Sequence, residues 1–207
     1  MKKKFLYLFF SILFFVVFLF FSYLVKKDIF LRLDFDTTVR LQNHLPKKLD
    51  PYLSFFSLIG SFEIYSLIIL LIIFARKKLI SFLIFIPFVF AHLIEVVGKA
   101  FLHQPPPPFM FHRYALFFNF PSSYVHPGYS YPSGHSLRTI FISFLFFYLI
   151  LKSKMKKPVK FFLISALLVF NVLMLISRVS LGEHWTTDVI GGIFLGASAA
   201  FFSFLFL

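Results

Sequence analysis

The sequence lacks cysteine altogether and contains little charge, since 14% of its 207 residues are charged and only 8 are acidic. Without cysteine the chain can form no disulfide and perform no thiol chemistry. Soluble domains usually carry about 25% charged residues, so the composition argues against a soluble globular domain. It also argues against a disordered chain, a fibrous repeat and a DNA-binding module. Apolar residues make up 59% of the chain, 36 residues are Phe, and the mean hydropathy is +0.88, which together indicate a protein embedded in lipid.

The few charges are mostly positive, with 21 basic residues giving a net charge of +13. In a soluble protein such an excess would suggest nucleic acid as a partner. Here the basic residues lie between apolar runs, where they set membrane topology and attract anionic lipid head groups. We therefore expect membrane lipids as partners, and neither nucleic acid nor a soluble protein.

Continuous apolar runs predict an all-α fold of six transmembrane helices in one domain, residues 1–207. Most runs are near the ~20 residues that a helix needs to cross a hydrocarbon core of ~30 Å. A β-barrel would need alternating polarity, which these runs lack. The first run follows Lys2–Lys4 and precedes no small-residue cleavage site, so we expect a retained helix rather than a signal peptide. The runs lie at about 5–24, 52–75, 79–98, 135–151, 161–177 and 189–207.

The connecting segments favour a cytoplasmic N-terminus and a cytoplasmic C-terminus. Basic residues fall in near-equal number on the two sides, but the segments 76–78 and 152–160 are basic and free of acidic residues, as cytoplasmic loops usually are. The segment 27–50 mixes both signs with apolar residues, and is either an amphipathic helix lying in the membrane interface or a loop. This orientation places the segments 99–134 and 178–188 on the outer face.

Side chains suited to phosphate binding gather at the outer ends of the predicted helices. Lys99 ends the third helix and Arg178 ends the fifth, and such cations bind phosphoryl oxygens through charge-assisted hydrogen bonds. Ser133, Gly134 and His135 open the fourth helix, where unpaired backbone N–H groups attract anions. The outer face is therefore the predicted site of chemistry.

A histidine and a carboxylate open the sixth helix four residues apart. His184 and Asp188 share one helix face, so the carboxylate can accept from one ring nitrogen and leave the other free as a nucleophile or ligand. His135, from a different helix, could supply the acid, and Arg138 follows it by one turn. Alternatively, His184 and Asp188 only cap the helix.

These residues resemble, in order, the three signatures of the type 2 phosphatidic acid phosphatase superfamily. Lys99 matches the first, Pro132-Ser133-Gly134-His135 the second, and Ser177-Arg178 with His184 and Asp188 the third, so the resemblance covers about 99–188. It implies a phosphohistidine mechanism without metal or cofactor. The implied roles are His184 as nucleophile, Asp188 as its orienting partner, His135 as acid, and phosphate binding by Lys99, Ser133, Gly134 and Arg178.

One position departs from the first signature, which normally continues from its Lys to an Arg-Pro pair. Pro106 stands where that Arg is expected, and proline has no N–H to donate. Because the two histidines and Asp188 are intact, we expect a rebuilt phosphate clamp. The candidate substitutes are Arg138, Arg113 and His103.

The resemblance implies a lipid phosphatase of the bacterial inner membrane whose site faces the periplasm. Lipid A 1-phosphate is the favoured substrate, and undecaprenyl pyrophosphate and phosphatidylglycerophosphate are the alternatives. The missing Arg supports a second class of function, a transporter or binding protein that keeps the phosphate site without catalysis. A third class is a zinc-dependent hydrolase, whose ligands would come from His103, His112, His126, His135 and His184.

Two further patterns predict helix contacts. Glu95 lies four residues before Lys99, so the two side chains are expected to pair at the helix end. Gly192, Gly196 and Ala200 are spaced by four on the sixth predicted helix, which favours close packing against a neighbour.

Overall fold

A computed structural model describes residues 2–76, 79–118, 120 and 128–207, and thus leaves Lys77, Lys78 and His126 outside the described residues. The described residues form eight α-helices, joined by loops and short 3-10 turns, and contain no β-strand. The helices are α1 (Lys2–Lys26), α2 (Leu31–His44), α3 (Asp50–Ile59), α4 (Phe62–Arg76), α5 (Phe85–Leu102), α6 (Gly134–Lys152), α7 (Lys157–Ser180) and α8 (Thr186–Ser203).

The protein is a multi-pass membrane protein. Among the described residues, α1, α6, α7, α8 and the segment Ser81–Leu102 containing α5 are each long and apolar enough to cross a membrane. The pair α3 and α4, with a bend of 48° between its halves, is a sixth candidate span if the two helices cross the membrane as one unit. The predicted all-α class is therefore confirmed, while the orientation with both termini in the cytoplasm stays a prediction.

The second apolar run was expected as one helix, but the structure divides it between α3 and α4 at Gly60 and Ser61. The carbonyl of Gly60 accepts a hydrogen bond from Nε of Arg138 at 3.0 Å, so it is turned towards α6. A Cβ at Gly60 would lie 2.7 Å from Cδ2 of His135, which only glycine avoids. The break lets the span approach the start of α6 closely.

Within the segment 27–50, residues Leu31–His44 form the helix α2. Its apolar side chains Leu31, Leu33 and Phe35 are exposed, whereas Asp34 and Thr38 are buried against the protein. The helix packs on α7 and α8. This polarity is what a helix needs when lipid covers its outer side and polar groups of the protein cover its inner side.

The centre of the bundle is the contact between α6 and α8. A Cβ at Gly192 would lie 2.4 Å from the carbonyl oxygen of Ser133, and one at Gly196 would lie 2.4 Å from that of Leu137. The predicted close packing along the small residues of the last helix is thus confirmed. On its other side α8 meets α1, where Ser11 and Ser198 each donate a hydroxyl hydrogen bond to the other's backbone carbonyl, at 3.0 and 2.9 Å.

Candidate active site

Four helix ends meet at one end of the bundle and enclose a cavity of about 520 Å³. They are the end of α3, the end of α5, the start of α6 and the end of α7, and the turn that precedes α8 completes the wall. The predicted site residues that line the cavity are Lys99, Gly134, His135, Arg138, Arg178 and His184. Ser133 and Asp188 are fully buried behind its wall.

His184 and Asp188 form the expected hydrogen-bonded pair. Nδ1 of His184 donates to Oδ2 of Asp188 over 3.3 Å, and the same oxygen accepts from the backbone N–H of Trp185 at 2.9 Å. Because Nδ1 is engaged by the carboxylate, Nε2 is the ring nitrogen left for a ligand in the cavity. A buried carboxylate thus fixes the orientation of a histidine at the cavity wall.

The surroundings of His184 keep its imidazole uncharged. Burial lowers the pKa of His184 well below its usual value of 6.5, and the positive charges of Arg178 and Lys99 lower this pKa further. The carboxylates of Glu183 and Glu95 act in the opposite direction with less effect. At neutral pH the ring is therefore neutral, and Nε2 carries the lone pair that a nucleophile needs.

His135 is held by Arg138, its neighbour one turn along α6. NH2 of Arg138 lies 3.4 Å from Nδ1 of His135, and since arginine only donates, Nδ1 is the acceptor and Nε2 carries the ring proton. Nε of Arg138 bonds the carbonyl of Gly60 at 3.0 Å, and NH1 lies 3.3 Å from Nε2 of His92. The guanidinium of Arg138 thus contacts His135, the break between α3 and α4, and α5.

Lys99 is paired with Glu95, as their spacing predicted. Nζ of Lys99 donates to Oε1 of Glu95 at 2.8 Å, and both side chains are buried. The other oxygen, Oε2, lies 3.8 Å from NH1 of Arg138. A Cβ at Gly134 would lie 2.2 Å from Oε1 of Glu95, so glycine is required for this carboxylate to lie against the start of α6.

Arg178 is surrounded by two side chains that the sequence did not single out. Its NH1 contacts Oγ of Ser57 on α3 and lies 2.6 Å from Oε2 of Glu183. Nε of Arg178 is buried and has no hydrogen-bond partner among the described residues. A buried guanidinium N–H without an acceptor is costly, so this donor is available for an oxygen that enters the cavity.

Ser133 serves as the N-cap of α6. Its Oγ accepts from the backbone N–H of Ser136 at 3.4 Å, and its own N–H donates to the carbonyl of Asp188 at 2.9 Å. The hydroxyl predicted to bind phosphate is therefore engaged with the helix in this structure. Its backbone bond joins the start of α6 directly to the start of α8.

Among the three candidates for the missing Arg, it is Arg138 that lines the cavity. Arg113 instead holds Asp50 at 2.8 and 2.9 Å, and the carbonyls of Gln42 and Leu45 at 3.1 Å each. The ring of His103 packs edge-on against that of Tyr129. Pro106 and Pro107 form part of the cavity wall.

Three of the histidines proposed as zinc ligands, His112, His135 and His184, line the cavity. No group of three or more His, Asp or Glu side chains in the part of the chain that the structure describes is placed to hold a metal ion. His112 lines the cavity at its exposed side, and His126 lies outside the described residues.

The structure is thus a bundle of membrane-spanning helices. At one end of the bundle, His135, His184 and three cations surround one cavity. The chain belongs to the PAP2 superfamily, whose family model matches residues 67–207. It is 34% identical over 139 residues to an undecaprenyl-diphosphatase from Sulfolobus acidocaldarius. That match covers 65% of this chain and 58% of the relative, so the chain spans little more than half of the relative's length.

Two solved structures have the same fold. A PAP2-type phosphatidylglycerolphosphate phosphatase from Bacillus subtilis superposes with a TM-score of 0.73 at 23% identity, and the match covers 93% of each chain. Aquifex aeolicus LpxE superposes with a TM-score of 0.62 at 18% identity, over 83% of this chain and 94% of that one. At these identities the likeness concerns the fold alone.

Proposed function

We propose that this protein is a membrane lipid phosphatase that removes phosphate from a lipid phosphate or lipid pyrophosphate through a phosphohistidine at His184. The observation that carries the proposal is the neutral His184, backed by Asp188, in a cavity that it shares with Lys99, Arg178 and His135. A nucleophile oriented by a buried carboxylate and surrounded by cations is suited to attack on phosphorus.

In the first step, Nε2 of His184 attacks phosphorus and forms an N–P bond while the bond from phosphorus to the leaving oxygen breaks. His135 gives a proton to that oxygen, so the lipid leaves as an alcohol or a monophosphate. The Nδ1–H bond to Asp188 stabilises the positive charge that develops on the His184 ring. Before it acts as an acid, His135 takes up a second proton from solvent at Nδ1, which ends the hydrogen bond from Arg138, and negative charge brought by the substrate favours this imidazolium form.

In the second step, water attacks the phosphohistidine. The N–P bond breaks, inorganic phosphate is released, and His135 takes the proton that the water loses. Acid and base roles thus alternate at one residue, as microscopic reversibility requires. The charges for both steps come from side chains of this chain, so we propose that the reaction needs no metal ion or cofactor.

The phosphoryl oxygens are proposed to bind to Lys99, to Arg178 and to the backbone N–H groups at the start of α6. Nε of Arg178 offers a donor without a partner among the described residues, and the N-terminus of α6 adds the positive end of a helix dipole. Arg138 contributes its charge, and because each of its three nitrogens contacts a group of the protein, we assign it the task of orienting the neutral His135 ring. Ser133 acts through the N-cap that holds this helix end.

The proposed functional unit is a single domain over the whole chain, residues 1–207. The helices α1 and α2 precede the part matched by the family model, yet both pack on α8, which carries Asp188. We propose that the cavity opens at the outer leaflet of the plasma membrane, which in a bacterium faces the periplasm. The basic connection between α6 and α7, at the opposite end of the bundle, supports this orientation.

Two lipid substrates lead the proposal. The relative from Sulfolobus acidocaldarius supports undecaprenyl pyrophosphate, since it is an undecaprenyl-diphosphatase 34% identical to this chain. Lipid A 1-phosphate is favoured by the small single-domain form of the chain, which resembles that of the lipid A 1-phosphatases. Phosphatidylglycerophosphate is the third candidate, supported by the fold shared with the Bacillus subtilis protein.

The test is phosphate release by the detergent-purified protein from undecaprenyl pyrophosphate, lipid A 1-phosphate, phosphatidylglycerophosphate and phosphatidic acid, with and without EDTA. We expect release from at least one lipid, unchanged in EDTA and abolished in His184→Ala. Binding of these lipids without release would instead support a transporter or binding protein. Loss of activity in EDTA would support the metal-dependent class.

A further inference from the structure

A buried carboxylate of α2 holds the first turn of α8. Oδ1 of Asp34 accepts from the backbone N–H of Thr187 at 2.8 Å, and Oδ2 accepts from the Thr187 hydroxyl at 2.6 Å. The two residues are 153 positions apart in sequence, and Asp34 is only 3% exposed. This contact joins α2, which lies outside the part matched by the family model, to α8, which carries Asp188 of the proposed catalytic pair.

The position of Thr187 makes this contact relevant to chemistry. Thr187 lies between His184 and Asp188, in the turn whose backbone N–H groups have no partner within the helix. By accepting from both its N–H and its hydroxyl, Asp34 fixes this turn in two directions. The orientation of this first turn of α8 determines whether Oδ2 of Asp188 points at Nδ1 of His184.

The same threonine is held from a second side by the loop that follows α5. Nε2 of Gln104 donates to the hydroxyl oxygen of Thr187 at 3.2 Å, and Nε1 of Trp185 donates to the carbonyl of Pro105 at 2.8 Å. The hydroxyl of Thr187 therefore accepts from one side and donates to Asp34 on the other. The start of α8 is fixed between α2 and the loop that forms the cavity wall.

Burial disfavours the charged form of Asp34. Burial raises the pKa of Asp34 to about 6, and the hydrogen bonds from Thr187 only partly offset this effect. A neighbouring residue offers a natural comparison, because Asp36 lies on the same helix, is half-exposed, and meets Arg32 at 3.7 Å on the surface.

From this geometry we infer that Asp34 is a positioning residue for the reaction: through Thr187 it sets the orientation of Asp188 and hence of His184. The inference rests on the proposed function for its kinetic readout. A misplacement of about 1 Å at a reacting group can cost on the order of 100-fold in rate. The effect is therefore expected in kcat rather than in binding.

The experiment compares Asp34→Asn and Asp34→Ala with the control Asp36→Asn in the full-length protein. Kinetics of phosphate release give kcat and KM separately. ¹⁵N NMR of histidine-labelled protein, with the His184 signal assigned by its loss in His184→Gln, reports the hydrogen bond at Nδ1 independently of turnover. Thermal unfolding of each variant identifies the folded fraction.

We expect Asp34→Ala to lower kcat by roughly 10- to 100-fold with KM nearly unchanged, and to shift the Nδ1 resonance of His184. Asp34→Asn keeps one acceptor and the side-chain shape, so it should lose less, and Asp36→Asn should match the wild type. If Asp34→Ala unfolds, the kcat of Asp34→Asn and its His184 resonance test the inference instead.

A folded Asp34 variant with wild-type kcat, or one in which the His184 resonance is unmoved, would overturn the inference, even if its thermal stability fell. If the wild-type protein releases no phosphate from any lipid, the proposed function fails instead. In that case the His184 resonance alone decides whether Asp34 positions the pair.

Discussion

The carboxylate of Glu183 lies 2.6 Å from the guanidinium of Arg178, so a protein carboxylate partners the cation proposed to bind phosphate. The side chain of Glu183 is 22% exposed, whereas that of Arg178 is 3% exposed. Arg178 is therefore fixed, and Glu183 has access to solvent. A phosphoryl oxygen that binds NH1 of Arg178 competes with Glu183 for that donor, whereas Nε has no protein partner among the described residues.

This competition predicts that Glu183→Gln binds phosphate more tightly. Because glutamine carries no negative charge to compete with the phosphoryl group, KM for the lipid phosphate should fall by roughly up to fivefold, on the order of 1 kcal/mol, while kcat changes little. Inhibition by inorganic phosphate should strengthen by a similar factor. The measurement is a steady-state assay of both quantities, with Asp36→Asn as the control, and a rise in KM would contradict the prediction.

The contact between Glu95 and the start of α6 predicts coupling with Gly134. A Cβ at Gly134 would lie 2.2 Å from Oε1 of Glu95, so Gly134→Ala must drive this carboxylate away from Lys99. Removing one partner of a buried ion pair costs about 3–5 kcal/mol, and Glu95→Gln should therefore lower thermal stability as well as kcat/KM.

A double-mutant cycle tests this coupling. Because Gly134→Ala and Glu95→Gln disturb the same contact, their effects on kcat/KM should be far from additive in the double variant. Additive losses would mean that the two residues act independently.

Two arginines are expected to behave differently on replacement by lysine. Arg138 uses its three nitrogens for Gly60, His92 and His135 near the cavity, so Arg138→Lys should release His135 and lower kcat by roughly 10- to 100-fold. Arg113 holds Asp50 with two nitrogens and does not line the cavity. Arg113→Lys should lower the melting temperature and leave kcat of the folded protein near the wild-type value. Equal kcat losses in the two variants would contradict this assignment.

The titration of His184 predicts how activity depends on pH. Its pKa is lowered well below 6.5 by burial, and further by Arg178 and Lys99, so kcat/KM should stay high as pH falls to 6.5 and decline only at lower pH. Since the folded state binds the proton less readily than the unfolded state, the stability from neutral His184 is present above pH 6.5 and lost as pH falls below it.

Removing a cation near His184 should move this pH profile. In Arg178→Gln the acid limb of kcat/KM is expected closer to neutral pH, although overall activity falls because a phosphate ligand is lost. A profile measured from pH 4 to 9 checks this, and an unmoved acid limb would show that Arg178 does not influence the titrating group.

The absence of native cysteine allows a direct test of membrane orientation. Phe109 is 89% exposed in the loop beside the cavity, and Lys154 is exposed in the connection between α6 and α7 at the other end. In intact bacterial cells, a membrane-impermeant maleimide should label Phe109→Cys and leave Lys154→Cys unlabelled. The reverse pattern would place the cavity on the cytoplasmic side.

Much of the site could be predicted because its residues lie at helix ends, and helix ends follow from apolar run lengths. The positions of the helix ends alone were enough to predict that four side chains lie at one face: Lys99, His135, Arg178 and His184. Glu95 was predicted as the partner of Lys99 from helical periodicity alone.

Other features depend on contacts that periodicity does not encode. The break at Gly60 falls within a long apolar run, and its cause is the approach of His135 and Arg138 from another helix. Ser57 and Glu183 became recognisable only once Arg178 was seen between them. In the sequence Asp34 is one of several acidic residues of the segment 27–50. Only its contact with Thr187 in the structure distinguishes it from the others.

The central claim is a covalent phosphohistidine at His184, and trapping that intermediate tests it most directly. Protein incubated briefly with lipid phosphate carrying ³²P, then quenched at alkaline pH and digested, should yield an acid-labile label on the peptide that contains His184. His184→Ala should carry no label and release no phosphate, and His135→Ala should accumulate label while turning over slowly. Rapid phosphate release by His184→Ala, or label on a different residue, would contradict the account.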